Sequence, residues 1–113
     1  IAQCTEKFQE SIDSKLAELT SLYAQRFSGL TRARKVVVDF SSGAAVAHEL
    51  AFLRTIAAQS PLEFVFLNQK PDSDFKAHLS DTTDPHDYQQ LMAAVVEHKA
   101  DFGVMFDGDG DRM

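Results

Sequence analysis

A small α/β fold built on a parallel sheet is what this sequence predicts, and two patterns predict it. Three short apolar runs rich in β-branched and aromatic residues lie along the chain, at 35–40, Leu62–Leu67 and 102–106. The stretches between them are long and carry apolar residues at helical spacing, which is how crossover helices read. Strand, helix, strand, helix, strand sets parallel strands side by side with helices flanking them. The expectation is a mainly parallel three-stranded sheet preceded by an amphipathic helix, with the first strand between the other two.

Each element has its own signals. Phe8, Ile12, Leu16, Leu19 and Tyr23 fall on one face of a helix over residues 5–27. That helix is not basic enough to lie on a membrane, so residues 1–30 read as a packing or connector helix and 31–113 as the domain proper. Ser28-Gly29 ends the helix, and Val36-Val37-Val38 marks a buried parallel strand. Ser41-Ser42-Gly43 turns the chain, and alanines with Val46, Leu50, Leu53 and Ile56 carry a helix to about Ala58. Ser60-Pro61 breaks it before the second strand. Residues 68–84 are polar. Thr83-Asp84-Pro85 reads as a helix start, with proline in the first turn. Leu91, Val95 and Val96 carry that helix to about Lys99, and the strand over 102–106 comes next.

At 113 residues and 44% hydrophobic, the chain can form one domain with a real core. A net charge of −6, with no basic cluster beyond Arg32, Arg34 and Lys35, excludes a nucleic-acid surface. No segment is apolar and long enough to span a membrane, and no secretory signal is visible. The single cysteine, Cys4, cannot close an internal disulfide, which points to the reducing cytoplasm. The chain begins without methionine and stops just after its most distinctive loop. The expectation is a piece of a longer protein, with a fourth strand beyond Met113 completing the sheet.

That loop is Asp107-Gly108-Asp109-Gly110-Asp111-Arg112. Three carboxylates so close repel one another unless a positive charge sits among them, and a hard divalent cation takes oxygen ligands. The glycines are expected to let the backbone adopt positive φ and aim alternate side chains at one point. Arg112 adds a planar fork suited to phosphate. The loop therefore reads as a metal site beside phosphoryl chemistry, placed at the carboxyl end of a strand, where ligands bind in open α/β sheets. A solvated acidic turn is the plain alternative. An EF-hand fails, because Arg112 takes the place of the required glycine and the chain ends before the twelfth position. A haloacid-dehalogenase-type phosphatase fits in part, with Asp107 as nucleophile and Asp109 as acid/base. A third possibility is a non-enzymatic α/β interaction module.

Other candidates carry less chemistry. The 41–43 turn sits between a strand and a helix, where backbone amides can hold phosphate, yet it matches neither the P-loop nor the dinucleotide fingerprint. Asp39 at the strand end reads as a hydrogen-bonding partner for a neighbouring loop. His48 and His98 fall within helices and His78 and His86 in the polar segment, without metal-ligand spacing.

Over most of residues 35–113 the sequence resembles the α-D-phosphohexomutases, the phosphoglucomutase/phosphomannomutase family. The features align in order: Lys35-Val-Val-Val-Asp39 with Ser-Ser-Gly43-Ala, then Leu67-Asn68 with Pro71-Asp72-Ser-Asp-Phe75, then Lys99-Ala100-Asp101-Phe-Gly103, then the acidic loop. The resemblance implies the family's second domain, with the first helix leading in from the first. It implies a cytoplasmic enzyme that moves a phosphoryl group between the 1- and 6-positions of a hexose phosphate. The donor would be a phosphoserine in another domain of the same parent chain, with a bisphosphate intermediate. Asp107, Asp109 and Asp111 would hold Mg²⁺, and Arg112 would position the phosphoryl group. The segment after Phe75 departs from the family's proline-rich pattern, so the sugar is not indicated. The family's serine loop, sugar-specificity loop and phosphate-binding loop are missing, so this piece alone is expected to be inactive.

Overall fold

The computed structural model describes residues 2–113, with Ala2 by its backbone alone. Its elements are α1 (Ala2–Phe27), β1 (Arg34–Asp39), a single 3₁₀ turn (Ala44–Val46), α2 (Glu49–Ala58), β2 (Leu62–Leu67), α3 (Gln89–Glu97) and β3 (Phe102–Met105). The sheet order is β2-β1-β3 and both pairings are parallel, so the first strand is central as expected. Asp39 lies opposite Leu67 on one side and Met105 on the other. The three strands thus end level, and the segments beyond them emerge together along one edge.

A central strand is buried on both faces, and its alternating residues feed two cores. Val36, Val38 and Phe40 pack with Ala45 and Leu50 on the α2 side, joined by Phe64, Phe66, Val104 and Phe106. Val37 and Met105 pack with Leu91 and Ala94 of α3 on the other. Val37 has no exposed surface, and such a side chain contributes about 1.5–3 kcal/mol by leaving water. Phe40 stacks on Phe106 with ring centroids 5.7 Å apart, which ties the exits of β1 and β3 together.

Boundaries differ from expectation where tertiary bonds compete with helix formation. The helix expected directly after Gly43 is split: Ala44 N–H donates to Gly108 O at 3.0 Å, only the 3₁₀ turn forms there, and α2 begins at Glu49. His48 therefore caps α2 instead of lying within it, and His98 likewise caps the end of α3. Asp84 does not start α3. Its side chain accepts His86 N–H at 2.9 Å and its carbonyl accepts Asp87 N–H, a local turn that delays the helix to Gln89. Lys99, at φ 51°, closes α3 with an Ala100 N–H to Val95 O bond of 2.9 Å, a helix stop usually built with glycine.

The packing stripe of α1 also differs. Phe8, Leu19 and Tyr23 are exposed, while Ile12, Leu16, Thr20, Ala24 and Phe27 are the positions withdrawn from solvent. Small Ala24 lets the helix come close, and the Tyr23 ring meets Phe52 of α2 edge-on at 6.0 Å. Between α1, α2 and the sheet lies an apolar groove of about 420 Å³, lined by residues such as Phe27, Val38, Phe52, Phe64 and Phe106. It offers no carboxylate or imidazole among the described residues. At the amino end of the sheet, Asp101 accepts Arg32 Nη2 at 3.0 Å, Arg34 Nη1 at 3.1 Å and Lys35 N–H at 2.9 Å, so the basic cluster is tied down there. Among the described residues, no helix is long and apolar enough to cross a membrane.

Candidate metal centre

β3 ends at Met105 and delivers the acidic loop into the space beside the β1 exit. Three bonds hold its start. Phe106 N–H donates to Asp39 O at 2.9 Å, Ser41 Oγ donates to Phe106 O at 2.6 Å, and Gly108 O receives Ala44 N–H. Carboxylate oxygens of Asp107, Asp109 and Asp111 all lie within 4.8 Å of one another. Among the described residues, theirs is the one group of three or more His, Cys, Asp or Glu that could hold a metal ion. Asp107 forms the floor, 1% exposed, while Asp109 and Asp111 stand in solvent.

Asp107 organises the loop. Its Oδ1 accepts Gly110 N–H at 3.0 Å and Arg112 N–H at 3.2 Å, and its Oδ2 accepts Arg112 Nε–H at 2.8 Å. Arg112 is thus folded back onto the loop, with its side chain 66% exposed and its Nε also 3.6 Å from Asp111 Oδ1. The glycines serve two different purposes. Gly110 has φ +81°, the left-handed conformation expected of it. Gly108 does not, and its requirement is close approach: a Cβ there would lie 2.8 Å from Ser80 Oγ and 3.3 Å from the Phe75 ring. Gly43 faces it from the β1 exit, where a Cβ would come within 2.6 Å of Gly108 O.

This arrangement sets the electrostatics. Burial pushes the Asp107 carboxyl up, but the Arg112 backbone N–H, the guanidinium and a hydrogen bond with Asp109 outweigh it. The carboxyl sits below its ordinary value. Asp111 is pushed the other way, first by its hydrogen bond and charge interaction with Asp109, then by burial and by Asp107. Hydrogen bonds and charge from Asp107 raise Arg112. One guanidinium faces three carboxylates, so negative charge is left over. An all-oxygen, all-carboxylate donor set with surplus charge suits a hard divalent cation. The carboxylate oxygens, all within 4.8 Å of one another, are close enough to share one such cation.

The other candidates are not drawn into this cluster. The amides of the 41–44 turn are already engaged: Ser41 N–H with Asp39 Oδ1, Ser42 N–H with Asn68 O, Gly43 N–H with Phe40 O and Ala44 N–H with Gly108 O. A single 3₁₀ turn with its amides occupied does not cradle phosphate. Asp39 does bond a neighbouring loop, as expected from its place at the strand end; the sequence did not show which residues of that loop it meets in a buried polar knot. Asp39, fully buried, accepts Ser41 N–H and Asn68 Nδ2–H at 2.8 Å each through Oδ1, and its Oδ2 lies 3.0 Å from His78 Nε2. The available signal was a carboxylate directly after the buried Val36-Val37-Val38 run, which must find donors. Its partners are 29 and 39 residues away and obey no motif.

Comparison with known proteins identifies the family. The sequence model of the phosphoglucomutase/phosphomannomutase family, alpha/beta/alpha domain II, matches residues 10–113. The chain belongs to this family. It is 35% identical over 80 residues to a phosphomannomutase of Methanocaldococcus jannaschii, covering 71% of this chain and 17% of that protein. It is 38% identical over 93 residues to a phosphoglucosamine mutase of Limosilactobacillus reuteri, covering 82% and 19%. A Streptomyces coelicolor phosphoglucosamine mutase is 36% identical over 107 residues, covering 93% and 21%. The chain spans about a fifth of the length of these relatives. As a phosphoglucomutase/phosphomannomutase domain II, it does not fit the haloacid-dehalogenase alternative.

Proposed function

We propose that this chain is the metal-holding domain of a phosphohexomutase that interconverts hexose 1-phosphate and hexose 6-phosphate. The observation that carries the reading is the convergence of three carboxylates, one buried and two exposed, at the carboxyl end of a parallel sheet in a chain of this family. Asp107, Asp109 and Asp111 would hold Mg²⁺, which would supply neutralisation of charge on the phosphoryl group in transfer. Asp107 sets the loop's shape through its amide and guanidinium bonds. Arg112, anchored by Nε, would present the rest of its fork to a phosphoryl oxygen. The phosphoryl donor would be a phosphoserine from another domain of the parent chain, passing through a hexose bisphosphate. Residues 1–30 would connect to that part of the protein, and the enzyme would work in the cytoplasm. The names of the relatives extend the substrate class to mannose and glucosamine phosphates without choosing between them. Alone, the chain would bind Mg²⁺ weakly and catalyse nothing.

The test is a Mg²⁺ titration monitored by the Gly108 and Gly110 amide resonances. Both should shift in the wild-type chain, and in Asp109→Ala the shifts should need at least about tenfold more Mg²⁺. The thermal midpoint without metal should barely change, because Asp109 is exposed. Unchanged titration in a folded Asp109→Ala chain would remove the metal role.

A further inference from the structure

The segment between β2 and α3 has no helix or strand over residues 68–88, yet it runs directly against the metal loop. Long irregular segments keep their place only where side chains and backbone tether them. At its start Asn68 O accepts Ser42 N–H, Gln69 pairs with Phe66 O and Arg54, and Asp72 N–H donates to Ser42 O at 2.9 Å; farther on, Asp81 N–H donates to Asp87 Oδ2 at 3.1 Å within the segment itself. Between them stands His78, with its side chain 8% exposed. Its Nδ1 faces the Leu79 carbonyl, and its Nε2 lies 3.0 Å from Asp39 Oδ2. Asn68 braces the pair, donating to Asp39 Oδ1 at 2.8 Å and to Gln90 Oε1 at 3.0 Å.

The knot reaches the metal loop by two routes. One runs through β1: Asp39 orients Ser41 by accepting its N–H, and Ser41 Oγ donates to Phe106 O, one residue before Asp107. The other runs through the 68–88 segment itself, a strap laid along the metal loop. Phe75 and Ser80 bracket His78 in sequence and wall the side of Gly108, where an added Cβ would lie 2.8 Å from Ser80 Oγ and 3.3 Å from the Phe75 ring.

We propose that His78 is a positioning residue for the metal loop. It pins the strap to the buried end of β1, and the strap in turn fixes the backbone path from Gly108 to Arg112. The proposal rests on the metal-centre reading for its effect on cation binding, but its effect on loop order does not depend on it. Groups bonded directly to metal ligands commonly change affinity by 10–100-fold when lost; His78 acts at longer range through the backbone, so its effect is expected to be smaller, about 3–10-fold.

The experiment compares the wild-type chain with His78→Ala and His78→Gln, the latter retaining a side-chain N–H for Asp39. Amide hydrogen exchange without metal gives the first readout. In His78→Ala, Gly110 and Arg112, whose amides donate to Asp107 Oδ1, should lose protection while β1 and β2 amides keep theirs. Mn²⁺ titration gives the second, with affinity about 3–10-fold weaker in His78→Ala and partly restored in His78→Gln. Unchanged exchange and affinity in a folded His78→Ala chain would overturn the proposal. So would loss of protection spread evenly over the sheet, which marks a purely structural role. A wild-type chain that binds no Mn²⁺ would overturn the metal-centre reading instead, and the exchange arm would still decide the role of His78. If His78→Ala does not fold, His78→Gln carries the same two measurements, with loop-selective deprotection supporting the proposal and wild-type behaviour in both His78→Gln and Asn68→Ala overturning it.

Discussion

Asp39 and Asp107 stand at the carboxyl ends of adjacent parallel strands, and each is almost sealed from water, at 0% and 1% exposure. Their downstream neighbours in the chain make them different. After Asp39 come Ser41, Ser42 and Gly43, whose amides close back on the sheet, and the carboxylate is satisfied by Ser41, Asn68 and His78. After Asp107 come two further aspartates, and its own bonds all go to its own loop. One buried carboxylate holds the scaffold together, while the other is the floor of a cluster with charge to spare. Burial alone therefore does not distinguish the two carboxylates. The uncompensated charge of the neighbours does.

The largest effect that could undo this contrast is on stability. Asp39→Ala should cost about 3–5 kcal/mol, because it leaves a buried imidazole, an amide side chain and a backbone N–H without their acceptor. That is a large part of the roughly 5–15 kcal/mol typical of a domain. Urea unfolding should show a far smaller loss for Asp107→Ala, whose main partner, Arg112, can turn to solvent. Equal losses would erase the distinction.

A middle-sized effect tests the contact between the two strand exits. Gly43→Ala drives a Cβ to within 2.6 Å of Gly108 O, backbone that can yield only by moving the loop. The expected cost is about 1–3 kcal/mol by thermal unfolding, with displaced Gly108 and Gly110 resonances. A silent substitution would mean that the loops are not coupled there.

The smallest effect refines the charge argument. Asp111 is raised, mainly by Asp109, so its contribution favours the fold at low pH and is lost as pH rises through its folded value. Asp107 is lowered, so its contribution is present at neutral pH and lost as pH falls through its folded value. Asp111→Asn should accordingly raise the metal-free thermal midpoint slightly above about pH 5, where an ordinary aspartate is ionised, and not below about pH 3. Excess Mg²⁺ should reverse the order at neutral pH by stabilising the wild type. A midpoint that falls at pH 7 without metal would refute the surplus-charge picture.

The order of residues was enough to specify the three strands, their parallel arrangement, the central place of β1 and the six-residue loop on which the site rests. These are local properties: apolar runs bounded by breakers, and like charges too close in sequence to escape one another. Packing in three dimensions was needed to settle which face of α1 is covered, because Phe8 and Tyr23 have the right spacing but small Ala24 permits the close approach. Packing also assigned Gly108 to crowding by Ser80 and Phe75 and folded Arg112 back onto Asp107. It joined Asp39 to Asn68 and His78. Those contacts link residues far apart in sequence or depend on the space left by neighbours, and a periodic pattern carries no information about either.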